Sequence, residues 1–165
     1  MPEIWKPING WEGRYEVSDQ GRVRAVPFLQ RYLLRNGKEA FRRTAARQVK
    51  ARLINSGYLI VALHLDNTRV NKLVHRLVAV HFVDGFDSGL EVNHINGRKT
   101  DCRAANLEWV TRTRNHNHAV DIGLQPQAIR VRCPATGEVF PSITRAAKAR
   151  QIRARTVSTT WERLA

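Results

Sequence analysis

The chain has 165 residues, 42% of them hydrophobic and 25% charged, which excludes a disordered tail and allows one compact unit or two to three small modules. Its 28 Lys and Arg against 14 Asp and Glu leave a formal net charge of +14, with basic excesses of six, three and five over residues 1–50, 51–118 and 119–165. Positive charge spread over every segment suits a long polyanion such as nucleic acid, and no stretch approaches the ~20 apolar residues that span a bilayer.

Met1-Pro2-Glu3-Ile4-Trp5 lacks the basic start and apolar run of a secretion signal, so a soluble intracellular protein, not secreted, is expected. Cys102 and Cys133 stand in unrelated contexts, which argues against a disulfide scaffold and a four-ligand zinc site. Arginine outnumbers lysine, and planar guanidinium forks favour bidentate phosphate binding.

Residues 15–26 predict a β-hairpin: Tyr15, Val17 and Val23 alternate around a Ser-Asp-Gln-Gly turn. Residues 28–52 are Arg-rich and weakly periodic, and are expected to be an exposed connection. A second hairpin runs from Tyr58 to Leu65, turns at Asp66-Asn67-Thr68 and returns from Arg69 to Val74. Residues 73–82 predict a short helix with Leu77, Val78 and Phe82 facing inward. Val92 to Ile95 fits a strand entering a polar loop with Asn96-Gly97, and Leu107 to Val110 fits the returning strand. Thr111 can cap a helix running through Asn115 to about Ile122, ended by Gly123. A boundary is expected after Gly123 and Pro126. Ile129 to Cys133 then reads as a strand and Thr136-Gly137 as a turn. Ser142 caps a helix to about Arg150, and a second helix begins near Ala154 or Arg155 and includes Val157 and Trp161, a helix-turn-helix shape.

The chemistry concentrates in Glu91-Val92-Asn93-His94-Ile95-Asn96-Gly97, Asn106-Leu107-Glu108-Trp109-Val110-Thr111 and Asn115. Phosphodiester hydrolysis needs a deprotonated water, positive charge at the phosphate and rigid placement. His94 can take the water's proton. Amide oxygens of Asn93 and Asn115 suit a hard ion such as Mg²⁺. Neighbouring strand residues point to opposite faces, so a local distortion is expected to bring Asn93 and His94 to one site.

With Val74-His75-Arg76-Leu77-Val78-Ala79 before them, these elements resemble the HNH nucleases of the ββα-metal (His-Me finger) superfamily, phage and intron-encoded homing endonuclease type, over roughly residues 70–122. The resemblance implies an α+β fold with a ββα-metal core and a metal-dependent DNA endonuclease, nicking or cutting both strands. His94 then stands as general base. Asn106, the middle asparagine of the catalytic set, braces the loop. Asn93 and Asn115 are the metal ligands for Mg²⁺ or Mn²⁺. Double-stranded DNA is the implied partner, with no membrane, no small-molecule cofactor, and a monomer or dimer in the host cytoplasm or nucleoid. Where the family has Asp or Asn at position 93, this chain has the neutral version, which implies low metal affinity in the free protein.

Trp5-Lys6-Pro7-Ile8, Tyr15-Glu16-Val17-Ser18 and Gly21-Arg22-Val23-Arg24 resemble an N-terminal module often joined to these nucleases. Gly137-Glu138-Val139-Phe140, Ser142-Ile143, Ala146-Ala147 and Val157-Ser158 resemble their C-terminal helix-turn-helix module, with Arg150-Gln151 where Leu-Gly is usual. The expected organisation is residues 1–52 as β-rich module and basic linker, 53–123 as nuclease and 124–165 as helix-turn-helix module. Arg22, Arg24, Arg98, Lys99, Arg103, Arg112, Arg114, His118, Arg153 and Arg155 are the candidate DNA contacts. His75 is expected to be a hydrogen-bonded structural residue. Two rivals remain: a non-catalytic DNA-binding protein derived from such a nuclease, and an RNA-binding or RNA-cutting protein.

Overall fold

The structure is a computed structural model that describes residues 2–65, 68–125 and 128–164. The expected turn at Asp66-Asn67 and the Pro126 boundary lie outside the described residues. Two compact units meet at Val110/Thr111.

In the first unit, β1 (Trp5–Pro7), β2 (Tyr15–Ser18), β3 (Val23–Ala25) and β6 (Arg47–Val49) form an antiparallel sheet in the order β1-β2-β3-β6. The predicted 15–26 hairpin is β2 and β3, and Val17, Val23 and Tyr15 enter the core. Its turn is closed by the Arg22 N–H donating to Ser18 Oγ at 3.0 Å. Gly21 sits there at φ +80°, and a Cβ at this position would lie 3.0 Å from Cys102 Cβ. The neighbouring Asp19 carbonyl accepts the Ala104 N–H at 2.8 Å. The 18–21 turn therefore rests directly on the loop that follows His94.

The expected exposed connection over residues 28–52 is instead largely strand. β4 (Leu29–Leu33) and β5 (Glu39–Arg43) form a two-stranded ribbon, followed by β6 and β7 (Arg52–Leu53). The turn between β4 and β5 contains Asn36-Gly37, with Gly37 at φ +76°, a strong hairpin signal. Leu29, Leu33 and Phe41 remain exposed, which is why the segment shows little core-facing periodicity.

β7, β8 (Leu59–Leu65) and β9 (Thr68–Leu73) make a three-stranded antiparallel sheet, and α1 (Val74–Phe82) follows. Val74, Leu77, Val78 and Ala79 of α1 are buried with Val61 and Leu63 of β8 and Val17 and Val23 of the first sheet. Burying each such aliphatic side chain contributes roughly 1.5–3 kcal/mol. Residues on both sides of the 52/53 boundary expected from sequence share this one core. The Lys6 ammonium donates to the His81 carbonyl at 2.6 Å and the Asn9 N–H to His81 Nε2 at 3.2 Å, which ties the N-terminal segment to the end of α1.

β10 (Glu91–His94) and β11 (Leu107–Val110) form an antiparallel pair joined by a loop and a 3-10 turn at Ala104–Asn106. The ladder runs from Glu91↔Val110 to His94↔Leu107 without interruption, and Val92 and Leu107 face the core.

The second unit begins with α2 (Arg112–Asp121), capped by Thr111, whose side chain accepts the Arg114 N–H. β12 (Arg130–Arg132), β13 (Val139–Phe140) and β14 (Glu162–Leu164) form a sheet in the order β13-β12-β14. α3 (Ile143–Ala149) is capped by Ser142, as the sequence predicts, and α4 (Ala154–Thr160) ends before Trp161 rather than including it. Val131, Cys133, Phe140, Ala146, Ala147 and Val157 are the core of this unit, with Ile143 and Trp161 against it. β14 is a strand that sequence periodicity over three residues could not announce. Among the described residues, no helix is long and apolar enough to cross a membrane.

Candidate active site

The loop between β10 and β11 is rigid because its polar side chains satisfy one another. Asn106 is buried, and its side-chain oxygen accepts the Asn96 N–H at 3.0 Å. Its side-chain nitrogen donates to Asn96 Oδ1 at 3.0 Å and to the Asp101 carbonyl at 2.8 Å. Asn96 Oδ1 also accepts the Arg98 N–H at 2.9 Å, and Asn96 Nδ2 donates to Asp101 Oδ2 at 2.9 Å. Arg103 grips Asp101 with two N–H groups, at 2.8 and 2.7 Å. The Arg103 fork, followed by the Asn96 amide, holds the Asp101 carboxyl far below the usual carboxylate range. Gly97 makes the tight turn at φ +71°, its N–H donating to the His94 carbonyl at 2.8 Å.

His94 ends β10 and is buried. Its ring lies 5.0 Å from the His75 ring at an interplanar angle of 64°, and 6.0 Å from the Tyr58 ring. Burial holds the His94 imidazole below its ordinary value, the Asp101 carboxylate opposing this and the Lys99 ammonium adding to it. The ring is therefore a neutral base near pH 7. His75 is pushed down to about 4, by burial first and then by His94 and Arg76. The expectation that His75 is hydrogen-bonded does not hold at Nδ1, which is buried with no partner, as is His94 Nε2. The Cys102 thiol beneath the loop is pushed up to about 11 by burial, so it is not a nucleophile.

Asn93 is buried on β10 and its Nδ2 donates to Glu108 Oε1 at 2.8 Å, directly across the strand pair. On an unbroken ladder, Asn93 and His94 leave opposite faces: the amide meets Glu108, and the imidazole meets the ring cluster. The local distortion expected from sequence is not a break in this ladder. Asn115 stands in the first turn of α2, in the second unit, its N–H donating to the Thr111 carbonyl at 2.9 Å.

The candidate DNA contacts divide sharply. Arg22 is ion-paired with Glu3 and hydrogen-bonded to it, and Arg24 pairs with Glu16 at 2.6 Å while stacking on Trp5 at 4.1 Å. Lys99 donates to the Ser56 carbonyl at 3.0 Å and lies 4.7 Å from the Tyr58 ring centroid. Arg103 serves Asp101. Arg98 is exposed, and its guanidinium has no partner among the described residues. In the second unit Arg112, Arg114, Arg153 and Arg155 are exposed and His118 is half-buried on α2. Sequence reasoning did not single out Tyr58, Asp101 or Glu108. Glu108 lay within the motif itself, and Asp101 carried the ordinary signal of an Asx residue in an Asn-Gly loop.

Residues 3–64 match the NUMOD4 motif and residues 72–117 match the HNH endonuclease family. DNA endonuclease I-HmuI of Bacillus phage SP01 is 34% identical over 119 residues, covering 72% of this chain and 59% of that protein. The uncharacterized HNH endonuclease L247 of Acanthamoeba polyphaga mimivirus is 39% identical over 127 residues, covering 74% of this chain and 27% of that protein. The chain thus spans about three-fifths or less of the length of these curated relatives. A solved structure describing DNA binding and cleavage by the HNH homing endonuclease I-HmuI superposes with a TM-score of 0.57 at 28% identity, covering 94% of this chain and 87% of that one.

HNH nucleases generally use divalent metal ions. Among the described residues no three His, Cys, Asp or Glu side chains gather into a metal-binding group. An amide oxygen such as that of Asn93 suits a hard divalent ion that keeps most of its water. The matched motifs give this chain an HNH endonuclease domain at residues 72–117, with a NUMOD4 motif ahead of it at residues 3–64.

Proposed function

We propose that this chain is a metal-dependent DNA endonuclease that hydrolyses phosphodiester bonds in double-stranded DNA, of the homing-endonuclease type. The observation that carries the reading is His94: a buried, neutral imidazole at the end of a strand whose following loop is locked by Asn106. His94 takes a proton from water, the resulting hydroxide attacks phosphorus, and the bond from phosphorus to the 3′ oxygen breaks. The departing 3′ oxygen takes a proton from solvent, so the products are a 3′-hydroxyl and a 5′-phosphate, and the imidazolium returns its proton to solvent. Asn106 performs no proton transfer; it holds the loop that fixes the end of β10. A hydrated Mg²⁺ or Mn²⁺ held by Asn93 and Asn115 would supply positive charge to the phosphate and the departing oxygen. Asn93 and Asn115 are both assigned from their places in the motif, since Asn93 meets Glu108 on the strand face opposite His94. Because both ligands are neutral amides, DNA phosphate completes the charge around the ion, and metal binding is weak without DNA.

The division of labour we assign has residues 53–123 as nuclease. Residues 1–52 and the helix-turn-helix module at 124–165 lengthen the DNA footprint, and arginines such as Arg98, Arg112, Arg114, Arg153 and Arg155 contact phosphates.

Plasmid nicking, with and without EDTA, tests the reading. Wild type is expected to relax or linearise supercoiled plasmid in Mg²⁺, to stop in EDTA, and to lose cutting as His94→Ala. Cutting that survives EDTA or His94→Ala overturns it. Tight DNA binding by a wild type that never cuts favours the non-catalytic rival.

A further inference from the structure

Three rings from three separate elements meet at the end of β10. Tyr58 precedes β8, His75 lies in the first turn of α1, and His94 closes β10. The Tyr58 and His75 rings are 4.8 Å apart, and the His75 and His94 rings 5.0 Å apart, edge to face at 64°. The far side of the stack is pinned too. The Lys99 ammonium sits 4.7 Å from the Tyr58 centroid and donates to the Ser56 carbonyl at 3.0 Å.

His75 is 5% exposed, and its flanking α1 positions are Val74, Leu77 and Val78. Packing alone does not account for an imidazole there. A buried polar ring with an unpartnered nitrogen is unfavourable, and a leucine or phenylalanine would fill the volume without that penalty. The unpartnered nitrogens are His75 Nδ1 and His94 Nε2, one on each of two touching rings. A position that sacrifices stability beside a reactive group is a candidate for function.

We propose that His75 is a positioning residue for His94: its ring edge blocks rotation of the His94 imidazole and so fixes which ring nitrogen faces the reacting water. This rests on the reading of His94 as general base. A half-turn of that ring about χ2 exchanges nitrogen for carbon at each position, so an unrestrained ring presents the basic nitrogen to water only part of the time. The His75 edge, backed by Tyr58, removes the second orientation.

Two-bond ¹H–¹⁵N correlation spectra of the full chain at pH 8, where both imidazoles are neutral, read this directly, alongside nicking kinetics and thermal melting of His75→Leu and His75→Phe. Wild-type His94 is expected in a single tautomer, becoming a mixture in His75→Leu. For nicking, kcat falls about 10- to 100-fold in His75→Leu while KM for DNA stays within about twofold, the loss usual for a residue orienting a reactive ligand. The melting temperature of His75→Leu is unchanged or higher. His75→Phe, which restores a ring edge against His94, recovers part of kcat. A mixed His94 tautomer in wild type overturns the proposal, even if no variant folds. So does an unchanged kcat in His75→Leu, or a kcat loss matched by a lower melting temperature with the tautomer intact. A wild type that never cuts overturns the endonuclease reading instead, and the tautomer comparison still decides what His75 does.

Discussion

Asn106 clasps Asn96 at two points: its oxygen receives the Asn96 N–H and its nitrogen reaches the Asn96 side-chain oxygen, both at 3.0 Å. A third bond, to the Asp101 carbonyl at 2.8 Å, draws the far end of the loop onto the same side chain. One amide thus closes the excursion over residues 95–106 between two short strands that have only four paired positions.

Asn106→Ala removes all three bonds and leaves partners unsatisfied at a buried site. The expected cost is roughly 1–3 kcal/mol of stability, read as a lower urea midpoint, together with loss of plasmid nicking. Asn106→Asp keeps the acceptor but replaces the donor with an oxygen facing the Asp101 carbonyl and Asn96 Oδ1. It is expected to be no better than alanine. A wild-type midpoint in either variant would contradict the clasp.

Acid should weaken the first unit in a defined window. The folded His75 pKa, about 4, lies below the ordinary 6.5. Between these values the unfolded chain binds more protons, so stability is fully present above pH 6.5 and is lost as pH falls towards 4. The size is about 3 kcal/mol, and burial of His94 acts in the same direction. Thermal melts from pH 7 to pH 4 check this, and His75→Leu should flatten most of the acid limb.

Arg98 and Arg103 are five residues apart and should behave differently. Arg98, exposed and without a guanidinium partner among the described residues, is free for phosphate. Arg98→Ala is expected to leave the melting temperature unchanged, weaken DNA binding, and reduce the salt slope of binding by about one. Arg103 is held by Asp101 through two hydrogen bonds. Arg103→Ala should lower the melting temperature and nicking while leaving the salt slope near wild type. Equal salt slopes in the two variants would refute the division.

Much of this arrangement was readable before any coordinates, because the features that carry it are local. The 15–26 hairpin, the amphipathic α1, the strand pair 91–94 and 107–110, and the Thr111 and Ser142 caps follow from alternation, spacing and capping chemistry. The β4–β5 ribbon was missed although Asn36-Gly37 announced its turn, since its apolar residues stay exposed and show no core-facing stripe. Arg22 pairs with Glu3 and Arg24 with Glu16, partners that residue type alone cannot reveal. The meeting of His75 with His94 depends on how α1 packs against β10, a tertiary fact beyond any local pattern.

In the second unit, Gln151 follows α3 at φ +53°, the conformation that glycine adopts most easily. The Ile152 N–H donates back to the Ala147 carbonyl at 3.0 Å, so the left-handed residue is part of the helix cap. Gln151→Gly is expected to raise stability by about 1 kcal/mol, measured by urea denaturation. A destabilised glycine variant would mean that the glutamine side chain contributes more than its strain costs.

Gly21 has a longer reach than its size suggests. With Cys102 only 3.0 Å from where a Cβ would stand, and Asp19 bonded to Ala104, the NUMOD4 turn forms a wall of the 95–106 loop instead of hanging beside it. Gene shuffling that trades this motif between nucleases must therefore preserve a fitted joint. Chimaeras joined upstream of the 102–104 contact, with any residue larger than glycine at that seam, would inherit both parts and lose the enzyme.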